Sequence, residues 1–253
     1  MFRRLMFVFF RFFALLAYWL TGLYQKENTS NISKRELLFS LTGRSHLASI
    51  FLKKLIVYGK AHERKVSEAL SKIKGQIFVD VGANVGYYPL FLSQNFKKIY
   101  AFEPFKKSFR KLCRNLYEHN IRNAKAIMKA VSDTDGEELL VQTDYGPYHR
   151  LVSGKQLPRA PKLVSSIPVE TVTLATFFPN TIIDLIKVDV EGAEWRVLKG
   201  AEPILKNIKR WVIELHDPKQ KRKLEEWFFS HGYSFRWLDF KGKTANHIYA
   251  WRA

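Results

Sequence analysis

The sequence contains a single cysteine, Cys113, among its 253 residues. One thiol cannot form an internal disulfide, which excludes the small secreted folds that depend on disulfides. We therefore expect a protein that folds in a reducing compartment, with its main domain in the cytoplasm. The 47% hydrophobic and 15% aromatic content is ample for a core and excludes a disordered chain.

Acidic residues are also scarce, since 42 Lys and Arg face 23 Asp and Glu, for a formal net charge of +19. This imbalance favours anionic partners such as nucleic acid, lipid headgroups or acidic glycans. Residues 1 to 75 hold 14 basic and 4 acidic side chains, a net charge of +10. The basic excess is therefore concentrated towards the N-terminus.

Charge is rarest between Leu5 and Leu23, a run of nineteen residues in which Arg11 is the only charged one. This length approaches the roughly 20 residues that span a bilayer. A repeat of polar residues every seven positions gives the same segment an amphipathic stripe, which favours a helix lying in the interface. We predict a hydrophobic membrane-anchor helix over residues 1 to 25, either spanning or interfacial, and a basic helical lead-in over residues 26 to 74. An ordinary core helix is the third interpretation of residues 1 to 25.

Apolar runs typical of strands alternate with helical stretches through the rest of the chain. This alternation predicts an α/β fold with a mostly parallel sheet covered by helices. Two final runs separated by "KGK" predict an antiparallel pair at the end. The loose pattern between Gly136 and Leu174, with four prolines, predicts an irregular loop region for substrate recognition. The strand-like runs occupy residues 76–81, 98–102, 124–131, 184–190, 210–215, 233–240 and 245–253.

A glycine turn follows the first strong strand in "FVDVGANVGYY", residues 78 to 88. Gly82 and Gly86 would let the backbone approach a ligand beside the amides of the next helix. The G-x-G-x-x-G pattern of dinucleotide binders is missing, which disfavours a pyrophosphate cradle. Glu103 lies 23 residues after Asp80, near the spacing expected for an acid that binds ribose hydroxyls. An acidic edge without a diphosphate cradle suits a cationic nucleoside such as S-adenosylmethionine.

Five stretches resemble the FkbM family of S-adenosylmethionine-dependent methyltransferases: "FVDVGANVGYY", "YAFEP", "AVSDTDGEELL", "DLIKVDVEGAEWRVLKGAEPIL" and "WVIELH". The resemblance covers about residues 73 to 251, and we assign the methyltransferase domain to residues 75 to 253. It implies a Rossmann-like class I methyltransferase fold with a seven-stranded sheet and one antiparallel C-terminal strand. It also implies a set of cofactor contacts, with the last two residues as alternatives beside the adenine: Asp80, Gly82, Asn84, Gly86, Glu103, and Ser132 or Asp133.

The segment "DLIKVDVEGAEW" puts five charges at the end of an otherwise buried strand. Buried charge is costly unless it is paired or used, so these residues mark an active-site rim. Asp189 or Glu191 is the candidate base for a hydroxyl acceptor, and Lys187 would keep a carboxylate ionised or orient the acceptor. Glu214 and His216, in "IELH", would complete the site, with His216 as an alternative base. A divalent ion fits these residue types, but their spacing demands none, and we predict no metal.

The leading hypothesis is a membrane-associated O-methyltransferase that acts on a hydroxyl of a glycan or lipid-linked sugar at the cytoplasmic face. Methylation of RNA or DNA is the second hypothesis, which the charge permits. The Asn-Pro-Pro-Tyr type of signature for base-amine methylation is missing, and much of the charge lies beside the predicted anchor. A membrane-bound binding module without catalysis is the third hypothesis, and the intact acidic edge argues against it.

Overall fold

The computed structural model describes residues 64–143, 149–152, 163–238 and 246–252. The predicted anchor, residues 1 to 25, lies outside these ranges, as does the lead-in up to residue 63. The described part of the lead-in contains helix α1, Arg64–Ser71. Of the helices in these ranges, none has the length and apolar character needed to cross a membrane.

A seven-stranded sheet forms the centre of the domain. Its strands are β1 (Gly75–Val81), β2 (Phe96–Phe102), β3 (Ala124–Ile127), β8 (Leu185–Val188), β9 (Arg210–Glu214), β10 (Ser234–Trp237) and β11 (His247–Trp251). They lie in the order β10-β11-β9-β8-β1-β2-β3, with the intervening β4 to β7 in a second sheet. All pairings are parallel except those of β11 with β10 and β9. The predicted mostly parallel sheet with an antiparallel C-terminal strand is confirmed.

Helices connect the parallel strands and cover both faces of this sheet. They are α2 (Tyr87–Phe91), α3 (Lys106–Glu118), α4 (Leu174–Phe177), α5 (Glu194–Ala201) and α6 (Lys221–Ser230), with 3-10 turns at Glu202–Asn207 and Pro218–Gln220. Thr173 caps α4, because its side chain accepts from the Thr176 amide. Parallel strands need a long connection that returns the chain to the same edge of the sheet, and here a helix between the strands provides it.

The strands are buried on both faces, and alternate side chains enter two different clusters. Phe78 and Leu185 pack with α1 residues on one face, whereas Val79 and Ile186 pack with residues of α5 and α6 on the other. Every residue of β8 is buried, including Lys187. This explains the near-continuous apolar character of the central strands, and it makes Lys187 an exception that needs a function or a partner.

The expectation of an irregular region from Gly136 to Leu174 is wrong for its described part. Three strands of a second, four-stranded sheet lie there, and the order of that sheet is β4-β7-β5-β6. Its strands are β4 (Ala130–Val131), β5 (Gly136–Thr143), β6 (His149–Val152) and β7 (Leu163–Val172). Pro168 lies inside β7 opposite Leu139, and the pairing with β5 continues on both sides of it. Proline suggested a loop because it cannot donate to a ladder, yet one missing donor did not end this strand.

The single strand predicted over residues 124 to 131 is also divided. β3 pairs with β2 in the main sheet, while β4 pairs with β7 in the second sheet. The run therefore crosses from one sheet to the other within eight residues. This crossing brings Lys129 and Ala130 beside the carboxyl end of β2, where they line a cavity.

Candidate active site

Most of the predicted site residues lie along one edge of the main sheet, at the carboxyl ends of four adjacent strands. β1 and β2 supply the glycine turn and Glu103, and β8 and β9 supply the charged residues. Ligands of open parallel sheets bind beyond these strand ends. More than eighty residues separate β2 from β8 along the chain. The parallel pairing of β1 with β8 brings the two pairs of strands together.

The turn after β1 passes very close to the end of β8. Gly82 has φ +83°, and a Cβ atom there would lie 1.9 Å from the Asp189 carbonyl oxygen. Gly86, with φ +92°, lies against Leu112, whose Cδ1 atom would be 2.7 Å from an added Cβ. Gly82 therefore allows the turn to pack against the end of β8, whereas the tight contact of Gly86 is with helix α3.

Glu103 is 7% exposed and is held by backbone donors. Its Oε2 accepts from the Asn84 amide at 2.8 Å, and its Oε1 accepts from the Phe105 amide at 2.9 Å. Burial has the largest effect on the pKa of Glu103 and raises it. The two amides lower this pKa, the negative charges of Asp80 and Asp189 raise it, and the result is a pKa of about 7. The carboxylate is thus fixed in position and ready to gain further donors.

A cavity opens above these strand ends. Three of the predicted cofactor residues line it, namely Gly82, Asn84 and Glu103, and so do Asp189 and Glu191 from the charged segment. Asp80 is 1% exposed and lies beneath the cavity rather than in its wall. The remaining wall is formed by residues that the sequence did not single out: Val81, Phe102, Pro104, Ser108, Lys129, Ala130, Val131, Leu140 and Val190.

Ser132 and Asp133 follow this wall but face an ion-pair network instead. Arg196 donates from Nε to Asp133 Oδ1 at 2.8 Å and pairs with Glu138. Ser132 Oγ donates to Asp133 Oδ1 at 3.3 Å. The network joins α5 to the second sheet, and it holds the segment that continues from the cavity wall. Sequence reasoning missed Arg196 and Glu138, because 58 residues separate them and no motif links them.

Lys187 is 2% exposed and forms its salt bridge within the charged segment. Its Nζ lies 3.1 Å from Asp189 Oδ2 and 4.7 Å from the centre of the Tyr88 ring. An ion pair between Lys187 and Glu214 of the neighbouring strand would be a purely structural explanation for this buried lysine. The salt bridge is with Asp189, and the Lys187 charge also helps to lower the pKa of Glu214. Lys187 therefore interacts electrostatically with the ends of both β8 and β9.

His216 is surrounded by carboxylates. Its Nδ1 lies 2.8 Å from Glu194 Oε1, and its Nε2 lies 3.1 Å from Glu191 Oε2 and 3.8 Å from Asp189 Oδ1. Burial lowers the pKa of His216, but the hydrogen bonds and charges of Glu191 and Glu194 raise it to about 11. A protonated imidazole has no free lone pair, which argues against His216 as the base in this state.

Glu194 is the residue of this cluster to which the sequence assigned no role. It is 2% exposed, begins α5 and accepts from the Gly192 amide at 2.8 Å as well as contacting His216. Glu194 belongs to the charged segment "EGAEW", but nothing in the spacing of that segment indicates that Glu194 contacts His216, 22 residues later.

Glu214 lies beside a second histidine, His247 of β11. Its Oε2 is 3.2 Å from His247 Nε2, and His247 is 1% exposed. Burial raises the pKa of Glu214, but the contact and charge of His247, with the charges of Lys187 and His216, lower it to about 2. Glu214 is therefore ionised at neutral pH, which gives the site a permanent negative charge.

Comparison with known proteins agrees with this geometry. The family model described as "Methyltransferase FkbM domain" matches residues 80–235. "Methyltransferase 1" of Beauveria bassiana (strain ARSEF 2860) is 27% identical over 164 residues, which cover 56% of this chain and 65% of that protein. The "31-O-demethyl-FK506 methyltransferase FkbM" of Streptomyces tacrolimicus is 30% identical over 176 residues, which cover 56% of this chain and 66% of that protein.

Each of these matches spans slightly less than two thirds of the relative's length. Among solved structures, the methyltransferase FkbM from Methylobacillus flagellatus KT superposes with a TM-score of 0.52 at 12% identity, over 85% of this chain and 58% of that one. That likeness concerns the fold. Because the family model covers more than half of the sequence, the chain belongs to the FkbM methyltransferase family.

Proposed function

We propose that this protein is an S-adenosylmethionine-dependent O-methyltransferase that methylates a hydroxyl of a glycan or lipid-linked sugar at the cytoplasmic face of a membrane. The observation that carries the proposal is the buried carboxylate of Glu103 beside the glycine turn, next to a cluster of acidic and basic side chains at the ends of β8 and β9. Family membership supports methyl transfer as the reaction class.

The residues at the ends of β1 and β2 fit the nucleoside part of the cofactor. Gly82 lets the turn after β1 lie against the Asp189 carbonyl oxygen beside the cavity, and Glu103 can accept from ribose hydroxyls while keeping its two amide donors. The buried Asn84 Oδ1 has no hydrogen-bond partner among the described residues, which leaves an acceptor for a ligand donor. When bound, S-adenosylmethionine supplies a methyl group on a positively charged sulfur.

The apolar part of the cavity fits the adenine. Leu140, Val131 and Phe102 provide apolar surface there. Asp80 would act from beneath, through its charge on Glu103. Ser132 and Asp133 would act by holding the wall rather than by touching the base, since both belong to the Arg196 network.

The charged cluster suits the acceptor side. Asp189 and Glu191 line the cavity next to Gly82, so an acceptor hydroxyl there would lie beside carboxylate acceptors for its hydrogen bond. Lys187 would hold Asp189 in place through their salt bridge. Positioning of the hydroxyl supplies much of the rate enhancement in such a transfer, and a nearby proton acceptor supplies the rest.

The outer face of α3 supports an anionic partner. Five exposed basic side chains share that face, and Ser108 on the same helix lines the cavity. The opposite face is buried through Leu112 and Leu116. A phosphate-bearing acceptor, such as a lipid-linked sugar in an anionic leaflet, would complement this charge. The basic residues are Lys106, Lys107, Arg110, Lys111 and Arg114.

The test is incubation of the full chain with radiolabelled methyl donor and separate cell fractions of lipid, glycan and RNA. Label in the lipid or glycan fraction, stable to base as an ether would be, is the expected result. Label in RNA would favour nucleic-acid methylation. Binding of the donor without label in any fraction would favour a binding module.

Membrane association needs its own measurement. The full chain should co-sediment with vesicles that contain phosphatidylserine, and a chain lacking residues 1 to 30 should lose most of this binding. Equal sedimentation of the two chains would contradict the anchor.

A further inference from the structure

We infer that Asp189, Glu214 and His216 form a binding site for a divalent cation of the Mg²⁺ or Mn²⁺ type, next to the cofactor cavity. One ligand atom from each residue lies within 4.8 Å of the other two. The inference reverses the sequence prediction of no metal, and it rests on the proposed function and deepens it, because it identifies what would activate the acceptor hydroxyl.

The three residues come from two adjacent strand ends. Asp189 follows β8, Glu214 ends β9, and His216 lies two residues further on. Ligand atoms in an octahedral site are separated by about 3 to 4 Å, since metal-oxygen bonds are about 2.1 Å long. The distance from His216 Nε2 to Asp189 Oδ1 is 3.8 Å, which is within that range. Small side-chain adjustments would therefore close the site around a cation.

The contact between Glu194 and His216 resembles the way in which metal-binding histidines are oriented. Histidines that bind metals usually donate their second ring nitrogen to a carboxylate, which fixes the tautomer and the ring orientation. Glu194 contacts His216 Nδ1 at 2.8 Å and is itself fixed by the Gly192 amide. It lies outside the set of three ligands and is 2% exposed. This arrangement places Nε2 3.1 Å from Glu191 Oε2 and 3.8 Å from Asp189 Oδ1.

The charge of the cluster leaves room for a cation. Four carboxylates, those of Asp189, Glu191, Glu194 and Glu214, face three partners that can carry a positive charge: His216, Lys187 at 3.1 Å from Asp189, and His247 at 3.2 Å from Glu214. Glu214 can keep its contact with His247 through one oxygen and offer the other to a cation. The cation would replace the proton on Nε2, which is released to water, as expected when a metal binds imidazole.

Carboxylate and imidazole together suit Mn²⁺ or Mg²⁺ with additional water ligands better than a soft thiolate metal. Of the residues described, the single cysteine, Cys113, lies on α3 and not in this cluster.

A cation at this position would polarise the O–H bond of the acceptor. The proton passes to Glu191, whose hydrogen-bond donor in the cation-free state is His216 Nε2, and from there to water. An oxygen lone pair forms the new bond to the methyl carbon, and the electrons of the broken carbon-sulfur bond stay on the sulfur. No oxidation state changes, and the products are the methyl ether, the neutral thioether and one proton.

The direct test measures Mn²⁺ binding to the full chain by electron paramagnetic resonance, without cofactor or acceptor. The wild-type chain should bind one Mn²⁺ with nitrogen hyperfine coupling from His216. Glu214→Gln and Asp189→Asn should each weaken binding at least about tenfold, and His216→Gln should remove the nitrogen coupling. Glu226→Gln is the matched control, because Glu226 is exposed on α6 and pairs with Arg222, and it should bind Mn²⁺ like the wild type.

Absence of nitrogen coupling in the wild-type chain would overturn the site, as would equal Mn²⁺ affinity in Glu214→Gln, Asp189→Asn and the control. Circular dichroism melts identify any variant that fails to fold, and the nitrogen coupling of the wild type decides the question without variants. The measurement does not depend on catalysis, so Mn²⁺ bound with nitrogen coupling supports the site even if no cell fraction accepts label.

The catalytic part has a separate test. Removal of divalent ions with a chelator should reduce methyl transfer at least tenfold, and Mn²⁺ or Mg²⁺ should restore it, while calorimetric binding of S-adenosylhomocysteine stays within about threefold. Full transfer in the presence of the chelator would overturn the role of the cation in the reaction.

Discussion

The two halves of the candidate site hold their carboxylates in different ways. At the ends of β1 and β2, backbone amides fix Glu103, and burial raises its pKa to about 7. At the ends of β8 and β9, side-chain cations surround Glu214, and its pKa is about 2 despite the burial that raises it. The first half keeps an acid poised to accept ligand donors, whereas the second half keeps a permanent charge.

This difference separates recognition from chemistry. A carboxylate fixed by the backbone barely moves when a neighbouring side chain changes, so the β1 and β2 half should govern affinity for the cofactor. The β8 and β9 half depends on contacts among Asp189, Glu191, Glu194 and His216, so a change there should alter the reaction more than binding. Four predictions test this division.

Asp189→Asn should cause the largest effect on turnover. The substitution keeps the shape of the side chain and the hydrogen bond from the backbone amide of residue 189 to the Val81 carbonyl oxygen. It removes the charge that faces Lys187 and His216. Methyl transfer should fall about 10³-fold, while S-adenosylhomocysteine binding by calorimetry should change by no more than about threefold. Normal turnover in this variant would refute the division.

Gly82→Ala should destabilise the fold by about 3 kcal/mol, because a Cβ with φ +83° would collide with the Asp189 carbonyl oxygen. Gly232→Ala is the matched control, since Gly232 has φ +75° and nothing lies within 4 Å of an added Cβ. The control should cost only about 1 kcal/mol of backbone strain. Urea unfolding measures the free energy of unfolding of both variants. Equal losses of stability in the two variants would show that the two halves of the site do not meet at Gly82.

Glu103→Ala should weaken S-adenosylhomocysteine binding about 30-fold, the equivalent of about 2 kcal/mol for hydrogen bonds to a charged group. The turnover number with saturating donor should fall much less. Glu226→Ala serves as the exposed control. Unchanged affinity by calorimetry would exclude the ribose contact. A large loss of turnover with an unchanged Michaelis constant for the donor would mean that Glu103 acts in the reaction and not in cofactor binding, contrary to the proposed division.

The smallest effect concerns pH. Because the pKa of Glu103 is raised to about 7, the group is mostly protonated at pH 6 and mostly ionised at pH 8. Ribose hydroxyls donate more strongly to the ionised form, so S-adenosylhomocysteine should bind about tenfold more weakly at pH 6 than at pH 8. Glu103→Gln should flatten this dependence. A wild-type chain with no change over this interval would contradict the raised pKa.

The sequence predicted where the strands and the glycine turn of the β1 and β2 half lie, because local patterns determine these elements. The glycine turn, the strand ending at Phe102 and the acid at Glu103 all follow from short stretches of sequence. The mostly parallel sheet with antiparallel β11 follows from the alternation of apolar runs and helices.

The missed features depend on contacts between distant residues. Arg196 reaches Glu138 across 58 positions, and Glu194 reaches His216 across 22, with no spacing rule to indicate either pair. The second sheet was missed because Pro168 and the prolines near it resemble loop sequence, although the register with β5 tolerates Pro168. His216 was predicted as a base because an isolated histidine titrates near neutrality, and the carboxylates that change this come from another strand end.

The most direct measurement is a crystal structure of the full chain with S-adenosylhomocysteine. The account predicts both ribose hydroxyls within hydrogen-bond distance of the Glu103 carboxylate, and the sulfur atom open towards Asp189. A nucleoside bound away from the ends of β1 and β2, or a Glu103 carboxylate that touches only the Asn84 and Phe105 amides, would contradict it.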